Sequence, residues 1–459
     1  MIGMGAMIGA GIFVLTGLAA EIAGPAAILV FALNGVVTAF TGLSYAELAA
    51  SIPKSGGGYA FVREVFADLP SFVMGWMLWF AYMIAGGLYA LGFAPNFLEL
   101  LHVYDVAPAE VGAVALPVVD IAVPAGIGLA FVAVLGLVAL NAVSTAASGS
   151  VETIFTLVKV GILVVFVAFG ATAPMFSTAE FQPLFPGDSG AFSVLPAMGL
   201  TFIAFEGYDL ITTVTEEVKN PRENIPKAIF ASLAVTVVVY LAVVGVAVGT
   251  LGAQGLAEAG EAGIAQAATE FMPTGLPVIQ NGGAIIVFGA VFSTLTALNA
   301  VVIASSRVAF SMGREEQLLP SFGQLHHRYG TPFVAILASG VVMLGSVALP
   351  TQSAGNMSSL FFLLSFIVVN GSVIKLRRER PNMNRPYELP YYPIPPILGI
   401  VLNLVLTGVL VWYLLRTDVL ALLLSGGWIL LGVAAYAVYT HLRADETETR
   451  DETTSAVDD

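Results

Sequence analysis

Three stretches of this 459-residue chain put polar chemistry inside apolar sequence. The first is Met4-Gly5-Ala6-Met7-Ile8-Gly9-Ala10-Gly11-Ile12-Phe13, where paired glycines let the backbone leave helical geometry at low steric cost. N–H groups freed at the start of the half-helix that follows make an anion site suited to a carboxylate. The second is Phe202-Ile203-Ala204-Phe205-Glu206-Gly207-Tyr208-Asp209, with a carboxylate and a glycine in mid-span. A break there offers carbonyls to an ammonium and Phe205 as a lid. Glu206 is read as facing a ligand, binding a proton or capping freed backbone, and Asp209, one turn on, as structural. The third is Lys159, roughly nine residues or about 14 Å into the span from Gly149 to Gly170. At that depth an ammonium has no route to the interface. An intramembrane ionisable group is a functional candidate by default, and Lys159 is expected to bind and release a proton; the alternative is a fixed ammonium satisfied by carbonyls. Ser305 and Ser306, beside Arg307, are the hydroxyls expected to hold that ammonium, or a sodium ion without it. Tyr82, Asn299 and Asn370 are further polar groups within spans and candidate cavity liners.

Residues so placed need a bilayer around them. The chain is 58% hydrophobic and only 10% charged, against about a quarter charged in soluble domains. Apolar stretches of spanning length (about 20 residues) recur about twelve times, centred on Gly11, Val37, Leu78, Ala133, Leu163, Ala204, Val239, Val302, Gly340, Ile367, Val405 and Gly432. Of the 17 Lys and Arg, all but Lys159 and Arg416 fall at one side under this count. By the positive-inside rule that side is the cytoplasm, and both termini with it. Asp105, Glu110, Asp120, Glu180, Asp188, Glu258, Glu261 and Glu270 fall on the other side. The net charge of −14 and the acidic tail Asp445 to Asp459 suggest solvation in concentrated salt, as in a halophilic prokaryote; an ordinary solvated tail is the plainer reading.

The broken spans are helices 1 and 6, so a repeat is five helices long and its second copy enters from the opposite face. The expected fold is an all-α integral membrane protein. Its transporter domain covers 1–442, with helices 1–5 at about 1–171, helices 6–10 at about 190–378 and helices 11–12 at about 396–442. An acidic tail, 443–459, is expected to lack structure. The segment from Gly252 to Gln280 is expected to hold a short helix over the outer vestibule, and Arg377 to Pro396 to form a structured turn. The first residues lack the positive region of a secretory signal. Only eight residues precede Gly9, about 12 Å of helix, so a leader before Met1 is expected.

Enzyme chemistry finds little support. His102, His326, His327 and His441 lie in loops or at helix ends, there is no cysteine, and no phosphate-cradling loop or metal-ligand cluster occurs. No cofactor is expected beyond a proton as coupling ion, and no nucleic acid; the expected partners are the substrate and the lipid bilayer, with oligomeric state left open.

With Tyr45-Ala46-Glu47-Leu48, Pro53-Lys54-Ser55-Gly56-Gly57-Gly58-Tyr59 and Thr215-Glu216-Glu217-Val218-Lys219-Asn220-Pro221 added to the two broken spans, the chain resembles the amino acid–polyamine–organocation superfamily of permeases, in its archaeal, cationic-amino-acid-transporter-like branch. The resemblance covers essentially the full length. It implies a 5+5 inverted repeat of the LeuT type, with helices 1 and 6 broken at the midplane. It implies substrate binding at Ile8, Gly9, Ala10 and Gly11 for the carboxylate, with Phe205, Glu206 and Gly207 opposite. It also implies proton coupling at Lys159, which falls where sodium-coupled relatives hold an ion. The expectation is proton-coupled amino acid symport by alternating access. The alternatives are an exchanger or uniporter without proton coupling, and a non-transporting amino acid sensor.

Overall fold

Glycine and proline divide the apolar sequence into its spans. The computed structural model describes residues 2–104, 106, 113–116, 121–144, 149–185, 190–272 and 282–455. Asp105, Glu110, Asp120 and Asp188, together with residues 273–281 and 456–459, lie outside the described residues. The first span is two helices, α1a (Ile2–Met7) and α1b (Ala10–Ala23). It ends at Gly24, whose φ of 61° is open to glycine, and Pro25 then opens the turn into α2 (Ala27–Ser51). There follow α3 (Asp68–Val103), α4 (Ala125–Val143) and α5 (Gly149–Ala171). The sixth span comprises α6a (Val194–Thr201), a 3-10 turn Phe202–Phe205 and α6b (Gly207–Thr213). The remaining spans are α7 (Pro221–Ala259), α8 (Gly282–Arg314), α9 (Phe333–Ser346), α10 (Thr351–Glu379), α11 (Ile394–Thr417) and α12 (Val419–Ser455). The twelve expected spans are all present, α9 being the short one at 14 residues, about 21 Å.

Three local features modify the sequence reading. A small antiparallel hairpin, β1 (Ala113–Leu116) with β2 (Ile121–Pro124), sits between α3 and α4 in a chain otherwise read as all helix. α7 leaves helical geometry at Gly252 (φ 74°), and the expected short helix follows at Gly263–Phe271. The α12 backbone stays helical to Ser455, where a structureless tail is expected from 443. Glu and Arg are good helix formers, and extending a helix already nucleated by a membrane span costs little.

The spans differ in how deeply they sit. In α3 and α6, 94% of the most apolar stretch is buried, against 28% in α4, α5 and α11 and 17% in α12. α3 and α6 therefore form the centre, with α1, α8 and α10 packed on them. Val132, Leu135, Val164, Leu404, Leu423 and Leu430 stay exposed on the outer spans, which suits lipid rather than water.

α1 and α6 run antiparallel through that centre. A Cβ on Gly207 would lie 2.5 Å from Gly3 O and Met7 N, and one on Gly11 would lie 2.5 Å from Ala204 Cβ. Low numbers of one span meet high numbers of the other, as an inverted repeat requires.

The cation-rich face is tied by a buried ion pair. Glu47, at the end of α2, is 1% exposed and accepts from Arg377 Nε and Nη2 at 2.8 and 2.6 Å and from Leu389 N at 2.8 Å. Tyr392 lies under the Arg377 guanidinium at 4.3 Å. The Pro- and Arg-rich segment after α10 is thus a structured turn folded onto a carboxylate.

Candidate functional site

The break in α1 is a tight turn held from three sides. Gly9 N donates to Met7 O at 2.7 Å, with Gly9 at φ −108° and ψ −142°, outside helical geometry. A Cβ on Gly9 would stand 2.7 Å from both Ala297 Cβ on α8 and Ala6 O, so only glycine permits this approach. Ser293 of α8 donates to Ile8 O at 2.5 Å. The Tyr240 hydroxyl of α7 is shared between Met7 O and Ala204 O, the latter at 3.0 Å, so one side chain bridges both breaks. α1b begins at Ala10 and runs for 14 residues. The first N–H groups of such a helix have no acceptor within it and carry the positive end of its dipole. They lie at the turn.

The α6 break is satisfied by polar side chains from its neighbours, as backbone at this depth requires. Asn34 of α2 donates at 3.0 Å to both Met198 O and Thr201 Oγ1, and Ile203 N donates to Ser359 Oγ of α10 at 3.1 Å. Phe205 packs against the rings of Tyr240 (centroids 5.1 Å apart) and Phe31 (6.1 Å). Glu206 is 4% exposed at the junction of the 3-10 turn and α6b. Asp209 accepts from the Tyr82 hydroxyl of α3, a tie between α6b and α3 that fits its structural reading.

Lys159 is 1% exposed and reaches across from α5. Its Nζ donates to Gly5 O on α1a at 2.8 Å and to Thr296 Oγ1 on α8 at 2.7 Å. The ammonium therefore joins three spans at the end of α1a, where the last carbonyls of a helix lack partners.

Two expectations need correcting here. Ser305 and Ser306 do not hold Lys159; they donate back to Val302 O at 3.1 Å and Ile303 O at 2.8 Å. They lie nine and ten residues past Thr296, about 14 Å down α8. The α1 carbonyl that Lys159 uses is Gly5 O, before the break. Asn299 and Asn370 are interhelical ties instead of cavity liners. Asn299 accepts from Asn141 at 2.7 Å, and Asn370 accepts from Ser44 at 2.7 Å while donating to Thr41 at 3.1 Å.

Ile8, Gly9, Gly11, Phe205, Glu206 and Gly207 are brought together with the backbone of Ala10, and Lys159 sits just below them. The sequence reading missed Thr296, Ser293, Tyr240, Asn34 and Ser359. Counting depth along α8 would have found Thr296, which lies 14 residues from Gly282, about the midplane depth of Lys159. Tyr240 and Asn34 carry no comparable signal, since one tyrosine or asparagine in a span is common.

Cavities open on the two faces. On the acid-rich face, about 590 Å³ is lined by Asn96, Glu99, Glu261, Gln266, Thr269 and Glu270, among others. On the cation-rich face, about 560 Å³ is lined by Lys54, Arg63, Glu64, Glu216, Arg314 and Glu315 among others. There Glu64 accepts from Arg380 at 2.6 Å, which holds its carboxyl below the usual range. Neither cavity is lined by residues 8–13 or 202–209. The side chains of Ile8, Ile12, Phe13, Phe202, Phe205 and Glu206 at the breaks are buried.

Two discontinuous spans crossing at the centre of a twelve-helix bundle, between vestibules on opposite faces, define a multi-pass membrane transporter. The chain belongs to the amino acid permease family, whose model matches residues 1–434, within the amino acid–polyamine–organocation superfamily. It is 31% identical to a branched-chain amino acid permease of Bacillus subtilis, over 96% of this chain and 91% of that protein. It is 29% identical to a methylthioribose transporter of the same organism, with 96% and 91% covered. With a serine/threonine exchanger, also from Bacillus subtilis, it shares 27% identity over 95% and 93%. These relatives are permeases and exchangers, and the chain is a transporter rather than an enzyme.

Proposed function

We propose that the chain is a secondary active transporter that moves an amino acid together with a proton across the cytoplasmic membrane by alternating access. Its cation-rich face and both termini lie in the cytoplasm, following the positive-inside rule. The observation that carries the proposal is the Lys159 bridge between Gly5 O of α1a and Thr296 of α8. The bridge ties α1a to α5 and α8, and α1a is the element that must swing for the inner side to open. A protonated amine binds carbonyls more strongly than a neutral one. Proton loss would therefore weaken the hold on α1a, and proton gain would restore it. Substrate occupancy acts on the same element from the other side of the break. Its carboxylate binds at the α1b N-terminus and its amine at carbonyls of the two breaks.

The cargo does not follow from the family alone, since one relative is named for methylthioribose and others for amino acids. The carboxylate-ready turn at Gly9 favours an amino acid. A second reading, exchange without a coupled proton, is favoured by the serine/threonine exchanger among the relatives. Uptake of a labelled amino acid panel into proteoliposomes separates the two. The proposal expects accumulation driven by an inward proton gradient with no sodium present. Accumulation only after preloading with unlabelled amino acid would establish exchange, and dependence on sodium would refute the proton reading.

A further inference from the structure

Successive residues at the α6 break point to different neighbours. Phe205 turns to α2 and α7, and Gly207 lies flat on α1a. Glu206 precedes Asp209 by one turn and shares its side of the helix, towards Tyr82 of α3. Among the described residues, the groups that share an electrostatic interaction with Glu206 are Tyr82 and Tyr89 of α3, Tyr45 of α2, and Tyr208 and Asp209 of its own span. None of these is a cation.

Several polar atoms in this group are buried without a partner. They are both carboxylate oxygens of Glu206, Asp209 Oδ1, and the hydroxyls of Tyr45 and Tyr208. The rings of Tyr45 and Tyr208 meet edge to face, with centroids 5.5 Å apart. Buried polar atoms are almost always paired, and a cluster of exceptions calls for an explanation. Elsewhere at the breaks the fold supplies the missing partners itself, through Asn34, Ser293 and Ser359. Beside Glu206 the described residues supply none, and what remains is three carboxylate oxygens with two hydroxyls that can donate as well as accept. An amino acid held by its α-groups at the breaks of α1 and α6 would send its side chain across Glu206 towards α3.

We propose that Glu206 determines specificity for the substrate's side chain, and that the preferred substrate carries a hydrogen-bond donor there: a hydroxyl, an amide or an ammonium. This rests on the amino acid transport reading above. A site built to bond a donor discriminates strongly against an analogue without one, because its buried acceptors are then left unpaired.

The test is competition for uptake in proteoliposomes of the wild-type chain, Glu206→Leu and Glu206→Gln. The competitors are serine, threonine, glutamine, lysine and arginine against leucine, isoleucine and valine. The wild type should prefer a donor-bearing member over the aliphatic ones by at least about tenfold. Glu206→Leu should lose that preference and turn towards the aliphatic set. Glu206→Gln, which keeps one acceptor oxygen and the shape, should retain neutral donors and lose preference for the ammonium and guanidinium. It also serves as the readout if Glu206→Leu fails to fold. An aliphatic preference in the wild type, or an unchanged order in Glu206→Gln and Glu206→Leu, overturns the assignment while leaving amino acid transport standing. If the wild type takes up no amino acid at all, the transport reading falls and this one with it.

Discussion

Thr296→Val tests the α1a hold at its weakest-looking point. Valine has nearly the same shape as threonine and removes only the hydroxyl that accepts from Lys159 at 2.7 Å. A hydrogen bond to a charged group contributes about 1.5–3 kcal/mol net. Thr296 and Lys159 sit on α8 and α5, so the bond restrains α1a only through Lys159, by holding the ammonium in the pose that reaches Gly5 O. Losing it should shift the equilibrium towards an opened inner side by up to about 150-fold, the limit in which the whole bond is lost together with that pose. The chain contains no cysteine, so a single Met4→Cys substitution reports on α1a without background. Met4 lines a cavity of about 500 Å³ between α1a, α6b and α7. Its labelling by a maleimide should be faster in the Thr296→Val background than in the wild type, as α1a spends more time released. Unchanged labelling, with unchanged proton-driven uptake, would show that the Thr296 bond does not restrain α1a.

Other predictions follow from packing and charge. Gly207→Ala places a methyl 2.5 Å from two backbone atoms, Gly3 O and Met7 N, which cannot move aside as a side chain can. It should cost about 1–3 kcal/mol and abolish uptake, read as a lower unfolding temperature together with lost transport. Arg377→Ala removes both guanidinium bonds to the buried Glu47 carboxylate and leaves it Leu389 N and Arg385 at 3.6 Å; it should destabilise by less than the about 3–5 kcal/mol of a fully stranded charge, yet clearly more than Lys227→Ala, which breaks only an exposed pair with Glu223 and should change the unfolding temperature little. The pH dependence of Glu64 has a fixed sign. Its folded value lies below the ordinary 4.5 because Arg380 holds the ionised form. Its stabilisation is therefore full above pH 4.5 and fades as pH falls through the depressed folded value. Unfolding temperatures of the wild type and Glu64→Gln should differ near pH 6 and converge in acid; a gap that widens in acid would refute the assignment.

Most of the architecture was legible because lipid imposes severe rules. Spans must be long and apolar, breaks must be buried, and cations gather on one face. The glycines at 9, 11 and 207 announced the crossing, since each marks a backbone approach too close for a side chain. Lys159 was legible for a similar reason, as a lone charge at depth. What failed was the choice of its partner. Ser305 and Ser306 drew attention as paired hydroxyls next to an arginine, yet such hydroxyls satisfy themselves on their own helix turn. Thr296, a single threonine in an apolar run, gives no signal until its depth is compared with that of Lys159. The residues that satisfy the breaks, Asn34, Tyr240 and Ser359, come from three other spans. Their roles depend on how the helices pack, which periodicity does not encode. The backbone course after residue 442 departed from expectation because acidic composition argues against a packed core and says little against an extended helix.

The proton coupling itself is tested most directly in proteoliposomes carrying the wild type or Lys159→Ala, by following labelled substrate under an imposed pH gradient and, separately, in counterflow without one. The wild type should concentrate substrate when the outside is acidic. Lys159→Ala should lose that concentrative uptake while keeping counterflow, since the groups proposed to bind substrate, at Ile8–Gly11 and Phe205–Gly207, remain. Proton-driven accumulation by Lys159→Ala at the wild-type level would contradict the account.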